Sequence, residues 1–184
     1  MSGAVKALLK WLSIGVLGVA LGATLAYVTR PTPPPVGVEG ARVGEQRPAL
    51  SHAELVGDQI GNLVSIDQFD GKPMLINFWA TWCEPCRREM PVLQSAHETY
   101  AERLVVLGVA MDDPLPVAQF VRSLGVTYPV WVGQMDVSQS QKRWGNPAGA
   151  LPYTVLVDGQ GVIRWQHLGE VNEAQLTEAL ALIF

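Results

Sequence analysis

Two kinds of apolar run alternate along most of this chain, and a third stands apart at its start. Residues 74–79, MLINFW, and 104–110, LVVLGVA, are short and almost wholly apolar, the pattern of strands buried on both faces. The mixed segment between them is long enough for a helix, so the three predict a β-α-β unit with a right-handed crossover. Upstream, residues 44–71 hold short apolar pieces broken by turn residues, which suits a hairpin and a turn capping the domain. Downstream, the pattern predicts a helix over 117–124, a strand over 129–132 and a helix over 137–144. A hairpin follows, with strands at 153–157 and 162–168 joined by Asp158-Gly-Gln-Gly161. The last helix starts at Asn172, with Gln175 placed for a capping box and Leu176, Leu180 and Ile183 on its apolar face. The class is α/β.

The third kind of run, residues 11–28, carries no charge and has about the minimum length that crosses a hydrocarbon core. Lys6 and Lys10 precede it and Arg30 follows, a slight bias that leaves the N-terminus in the cytoplasm and the rest outside. A single transmembrane anchor is the expectation, with a cleaved signal peptide, cut after Gly22, as the competing reading. Gly18 and Gly22 have the spacing of a helix-pairing motif, though plain lipid-facing packing accounts for them. Pro31, Pro33, Pro34 and Pro35 then enforce an extended, stiff spacer. The division is residues 1–29 as cytoplasmic stub and anchor, 30–43 as linker, and 44–184 as a catalytic domain on the periplasmic or other extracytoplasmic side. All 17 acidic residues lie beyond Arg30. A nucleic-acid partner is thereby disfavoured, because binding phosphate needs a basic face.

Candidate chemistry rests on the only two cysteines, Cys83 and Cys86, in WATWCEPCRREMP. They close too small a loop to staple a fold. Cys83 follows the 74–79 strand and Cys86 falls in the first turn of the next helix, where unpaired N–H groups and the helix dipole stabilise a thiolate. Cys83, nearer the surface, is then the attacking thiolate and Cys86, one turn deeper, the resolving thiol. The flanking charges nearly cancel: Glu84 and Glu89 oppose a thiolate, Arg87 favours it, and Glu84 has the spacing to pair with Arg88.

Together with ALPYTVLVDGQGVIRW, residues 150–165, that motif resembles the membrane-anchored thioredoxin-like thiol:disulfide oxidoreductases of the TlpA and ResA type, over about residues 44–184. The resemblance implies a thioredoxin fold with an N-terminal β-hairpin and a helix–strand insertion at about 114–132. It implies that Pro152 is cis and faces the cysteines, leaving the Leu151 backbone to pair with an extended substrate. It also implies a reductant of protein disulfides with no cofactor. Clients would be the CxxCH thiols of apocytochrome c, copper-site cysteines or misoxidised proteins, and a membrane thiol transporter would supply electrons. Where cytosolic thioredoxins keep a buried Asp, this chain has Asn77, which cannot titrate. Glu89, on the same helical face as Cys86, is the candidate proton carrier, against a plain solvated carboxylate.

Rival readings remain. A disulfide oxidant would use the same pair in reverse. A copper or zinc chaperone would need further ligands, and His52, His97 and His167 stand at no local ligand spacing, so no metal site is expected and all three read as surface or hydrogen-bonded histidines. A peroxidase of this fold would have Thr three residues before the reactive Cys, where Ala80 stands. Trp82 is the expected substrate-facing aromatic, Trp79 reads equally as core, and Arg87 and Arg88 read as solvated cations.

Overall fold

The computed structural model describes residues 40–184. The anchor expected over 11–28 and most of the proline-rich linker lie outside the described residues. Within them no helix is long and apolar enough to cross a membrane. A seven-stranded mixed sheet forms the middle layer, with β1 (Ser51–Val56), β2 (Gln59–Ser65), β3 (Met74–Trp79), β4 (Val105–Met111), β5 (Val130–Gly133), β6 (Tyr153–Val157) and β7 (Ile163–Leu168). Their spatial order is β2-β1-β5-β4-β3-β6-β7. The helices are α1 (Glu84–Tyr100), α2 (Pro114–Leu124), α3 (Met135–Arg143) and α4 (Glu173–Leu180), with a 3-10 turn at Ile66–Phe69.

β3 pairs in parallel with β4 and antiparallel with β6, so every residue from Met74 to Trp79 is buried, as an unbroken apolar run requires. Alternate residues feed two cores. Leu75 and Trp79 meet Met90 and Leu93 of α1, Val117 of α2 and Leu176 of α4, while Met74, Ile76 and Phe78 meet Val137 of α3, Trp131 and Trp144. This is a thioredoxin-like α/β fold, and its centre and C-terminal part follow the expected pattern closely. The capping box at Asn172 and Gln175 has both of its hydrogen bonds. Helix α2 begins earlier than expected, because Pro114 costs nothing in a first turn, where its N–H would have no partner, and it ends on Gly125 in the left-handed region. Helix α1 continues through Pro91. Burial of Met90 and Leu93 on either side holds that turn in place despite the missing N–H.

The N-terminal hairpin corrects one expectation. It does not cap the domain but extends the sheet, β1 pairing antiparallel with β5 at Ala53–Val132 and Glu54–Trp131. His52 corrects another: it is buried, its Nδ1 2.8 Å from Asp136 Oδ2 and its Nε2 3.1 Å from Ser140 Oγ, so it pins β1 to α3. Arg143 donates to the same Ser140 oxygen at 3.0 Å, so one hydroxyl joins the ring to the guanidinium. Burial lowers the affinity of His52 for a proton, Asp136 partly restores it, and Arg143 opposes it. The unfolded chain therefore binds a proton that the folded chain refuses. The stability contributed is present above about pH 6.5, the ordinary histidine value, and is lost as pH falls below it. We expect the melting temperature of the wild type to fall more between pH 7 and 5 than that of His52→Gln. Equal falls in a calorimetric comparison would refute the assignment.

Candidate active site

Beyond Trp79 the chain leaves the sheet edge-on and is caught at once by Asp112, just past the end of β4. The Thr81 N–H donates to Asp112 Oδ2 at 3.2 Å and the Thr81 hydroxyl donates to the same oxygen. This fixes the approach to Cys83, the N-cap of α1, whose Sγ accepts the Cys86 N–H at 3.3 Å. The two sulfurs are joined in a disulfide, with Cα atoms 5.3 Å apart, inside the ordinary range for such a bond. Cys83 is 5 % exposed and Cys86 is fully buried. Only Cys83 offers an edge to an incoming sulfur, and on reduction the helix N-terminus faces its thiolate.

Glu89 is not the solvated carboxylate that spacing alone allows. It is buried at 1 % exposure, its Oε1 accepting from Asn77 Nδ2 at 2.7 Å and its Oε2 from the Val171 N–H at 2.7 Å. Desolvation pushes its pKa up to about 7, against those two hydrogen bonds and with help from the nearby charge of Glu170. An acid so poised, one helical turn from Cys86, can take and return a proton near neutral pH.

Leu151-Pro152 is the cis peptide the resemblance implied, at the entry to β6. Pro152 is buried, and half-buried Leu151 packs against the apolar cluster that contains both cysteines. The loop between β7 and α4 ties these parts together, since the Gly169 N–H donates to Pro152 O at 2.9 Å and Val171 N–H holds Glu89. Trp82 is 64 % exposed beside the disulfide, whereas Trp79 is wholly core. Arg87 and Arg88 are not simply solvated. Arg87 lies over the Phe120 ring at 5.2 Å, and Arg88 binds Glu170 at 2.6 Å, with Glu84 farther from both at 3.7 Å.

Asp112, Thr154, Glu170 and the Val171 N–H escaped the sequence reading. Asp112 carried a signal, a carboxylate at the C-terminal end of a parallel strand beside the motif; a backbone N–H far along the chain carries none. His97 meets the Tyr128 ring edge-on and His167 stacks on Trp165. Among the described residues no group of three or more His, Cys, Asp and Glu is placed to hold a metal ion.

The Redoxin family model matches residues 42–183. Among curated relatives, the thiol-disulfide oxidoreductase ResA of Bacillus thuringiensis is 31 % identical over 142 residues, 75 % of this chain and 76 % of its own length. The thiol:disulfide interchange protein DsbE of Yersinia pestis is 35 % identical over 145 residues, 76 % of this chain and 71 % of its own. Among solved structures, a DsbF homologue from Corynebacterium diphtheriae superposes with a TM-score of 0.64 at 26 % identity, covering 83 % of this chain and 97 % of that one.

Proposed function

This chain belongs to the Redoxin family and is a thiol–disulfide oxidoreductase of the ResA and DsbE type, and from that premise we propose that it is an extracytoplasmic reductant of protein disulfides working through Cys83 and Cys86. The observation that carries the proposal is the burial of Glu89, one helical turn beyond Cys86, on the helix that opens with a disulfide whose Cys83 is slightly exposed and whose Cys86 is fully buried. In the reduced protein, the Cys83 thiolate attacks a client disulfide, one client sulfur leaves as a thiolate, and a mixed disulfide forms. Cys86 then gives its proton to Glu89 and attacks Cys83 Sγ, which releases the second client sulfur. Two electrons have passed to the client, and the Cys83–Cys86 disulfide of this structure remains. A dithiol donor, for which a membrane thiol transporter is the fitting class, must return it to the reduced state.

Pro152 and the Leu151 backbone would seat the client as an extended strand, with Trp82 covering its far side. Residues 1–29 as anchor and 30–43 as linker would hold this domain outside the cytoplasm. The apocytochrome c CxxCH thiols or copper-site cysteines are the clients this reading favours.

The direction of electron flow depends on which form the site stabilises. A buried carboxylate beside the pair disfavours thiolates and so does not favour the reduced form, unlike the environment of strong oxidants. Equilibration with a thiol redox buffer is expected to give a potential nearer that of thioredoxin, about −270 mV, than of DsbA, about −120 mV. A value above about −180 mV, in the isomerase range, would overturn the assignment as reductant.

A further inference from the structure

Asn77 was notable in the sequence for what it cannot do, which is titrate. Its surroundings give it a different capacity. Asn77, Thr154 and Glu89 are all shut off from solvent, so each polar atom must find its partner within the protein. The Asn77 amide spends both N–H bonds, one on Glu89 Oε1 at 2.7 Å and one on Thr154 Oγ1 at 2.9 Å, while its own Oδ1 has no hydrogen-bond partner. Asn77 and Thr154 stand opposite one another in the β3–β6 ladder, and Asn77 and Gly108 do so in the β3–β4 ladder. Any side chain at Gly108 would crowd Trp79 Nε1 at 3.0 Å and the Tyr128 ring at 3.2 Å, so this position beside Asn77 in the ladder takes only glycine without a shift of its neighbours.

We propose that Asn77 is a positioning residue that serves both protonation states of Glu89, its amide turning over between donating to the carboxylate and accepting from the acid. The proposal rests on the reading of Glu89 as proton carrier for the dithiol and supplies the device that makes its two states close in energy. With the proton on Glu89 Oε1, an O–H would face the Asn77 NH2, donor against donor. A half-turn about the Cβ–Cγ bond exchanges the ends of the amide. Oδ1 then stands where Nδ2 stood and accepts from Glu89, and the Thr154 hydroxyl, donor as well as acceptor, turns its hydrogen toward the same oxygen. Either orientation leaves one end of the amide without a partner, so neither is locked and the proton on Glu89 decides between them. The Val171 N–H cannot turn and stays on Oε2 throughout. An aspartate at position 77 would instead set a second carboxylate against the first.

The other groups facing Glu89 do not supply this balance. Glu170 disfavours its charge, the buried phenol of Tyr128 is held neutral by burial and by Glu89 itself, the Arg88 guanidinium is taken up by Glu170, and Cys86 in the disulfide does not titrate.

The test is a titration of the oxidised full-length chain by NMR, with carbon-13 in the Glu carboxyls and nitrogen-15 in the Asn amides. The Glu89 signal is identified by its loss in Glu89→Gln. In the wild type the Glu89 carboxyl and the Asn77 side-chain amide should change with one common midpoint. In Asn77→Ala the Glu89 midpoint should move by less than about one pH unit, because the variant loses a hydrogen bond to the acid as well as to the carboxylate, whereas loss of a donor that served the carboxylate alone would raise it by about one to two units. Asn77→Leu, nearer in volume, should do the same and covers the case in which the alanine variant folds poorly. A rise of the full amount, about one to two units, in both variants, or an Asn77 amide that ignores the Glu89 midpoint in the wild type, overturns the proposal. Should both variants behave as expected while Glu89→Gln resolves mixed disulfides at the wild-type rate, Asn77 keeps its role toward Glu89 and the proton-carrier reading alone fails.

Discussion

Cys83→Ser is expected to bring disulfide exchange down to the rate of the buffer alone, and Cys86→Ser to stop it halfway, with client proteins left attached to Cys83. The difference follows from geometry. Cys83 is the one cysteine with any exposure to solvent, and a serine hydroxyl in its place stays protonated and does not attack a disulfide. Cys86 sits one turn deeper and, in the proposed mechanism, acts only after the first exchange, so its loss should spare attack and remove escape. The short loop that the disulfide closes contributes about 2 kcal/mol at most to stability, so folded protein should be recovered from both variants. Adducts that a reductant releases from Cys86→Ser, and that Cys83→Ser does not form, would identify the clients. Exchange that survives in Cys83→Ser would make Cys86 the nucleophile, and undiminished turnover in Cys86→Ser would mean that an external thiol resolves the complex.

What the sequence made legible is what local spacing encodes. The fully apolar MLINFW run is a central strand because nothing in it tolerates water, and Asn172 with Gln175 begins a helix because the two groups complete each other three residues apart. Both cysteines were placed correctly for the same reason, since a helix N-terminus is a local event. The errors come from contacts across the chain. The spacing of β1 and β2 makes a hairpin but says nothing about its pairing with β5, and His52 is buried by residues 84 and 88 positions away. Glu89, singled out correctly as the candidate proton carrier against a solvated carboxylate, shows the same limit of local spacing. Its helical position fits a solvated carboxylate equally well, and only Asn77 and the N–H of Val171, 82 residues later, make it a buried acid.

Glu89→Gln should therefore change stability and rate in opposite directions. Its carboxyl is raised from 4.5 to about 7 in the folded chain, so folding takes up a proton between those values. Below about pH 4.5 both states hold the proton and the shift costs nothing; as pH rises through 7 the folded protein must keep a buried charge. At about 1.4 kcal/mol per pH unit, the wild type gives up on the order of 3 kcal/mol by pH 8. Glutamine carries no such charge, its carbonyl can accept the Val171 N–H, and its amide can donate to Asn77 Oδ1, the atom now without a partner. Denaturant unfolding should find Glu89→Gln more stable than the wild type at pH 8 and little different at pH 4.5. The dithiol should respond the other way. Without the carboxylate the apparent pKa of the coupled thiol pair falls, because no like charge opposes the thiolates, yet Cys86 has no base to receive its proton. Resolution of mixed disulfides should slow by about 10² to 10⁴, the usual worth of a well-placed general base. Stopped-flow measurement of client release decides the point: a stabilised variant that resolves at the wild-type rate would make Glu89 a buried burden with no part in the exchange, and water would then carry the proton.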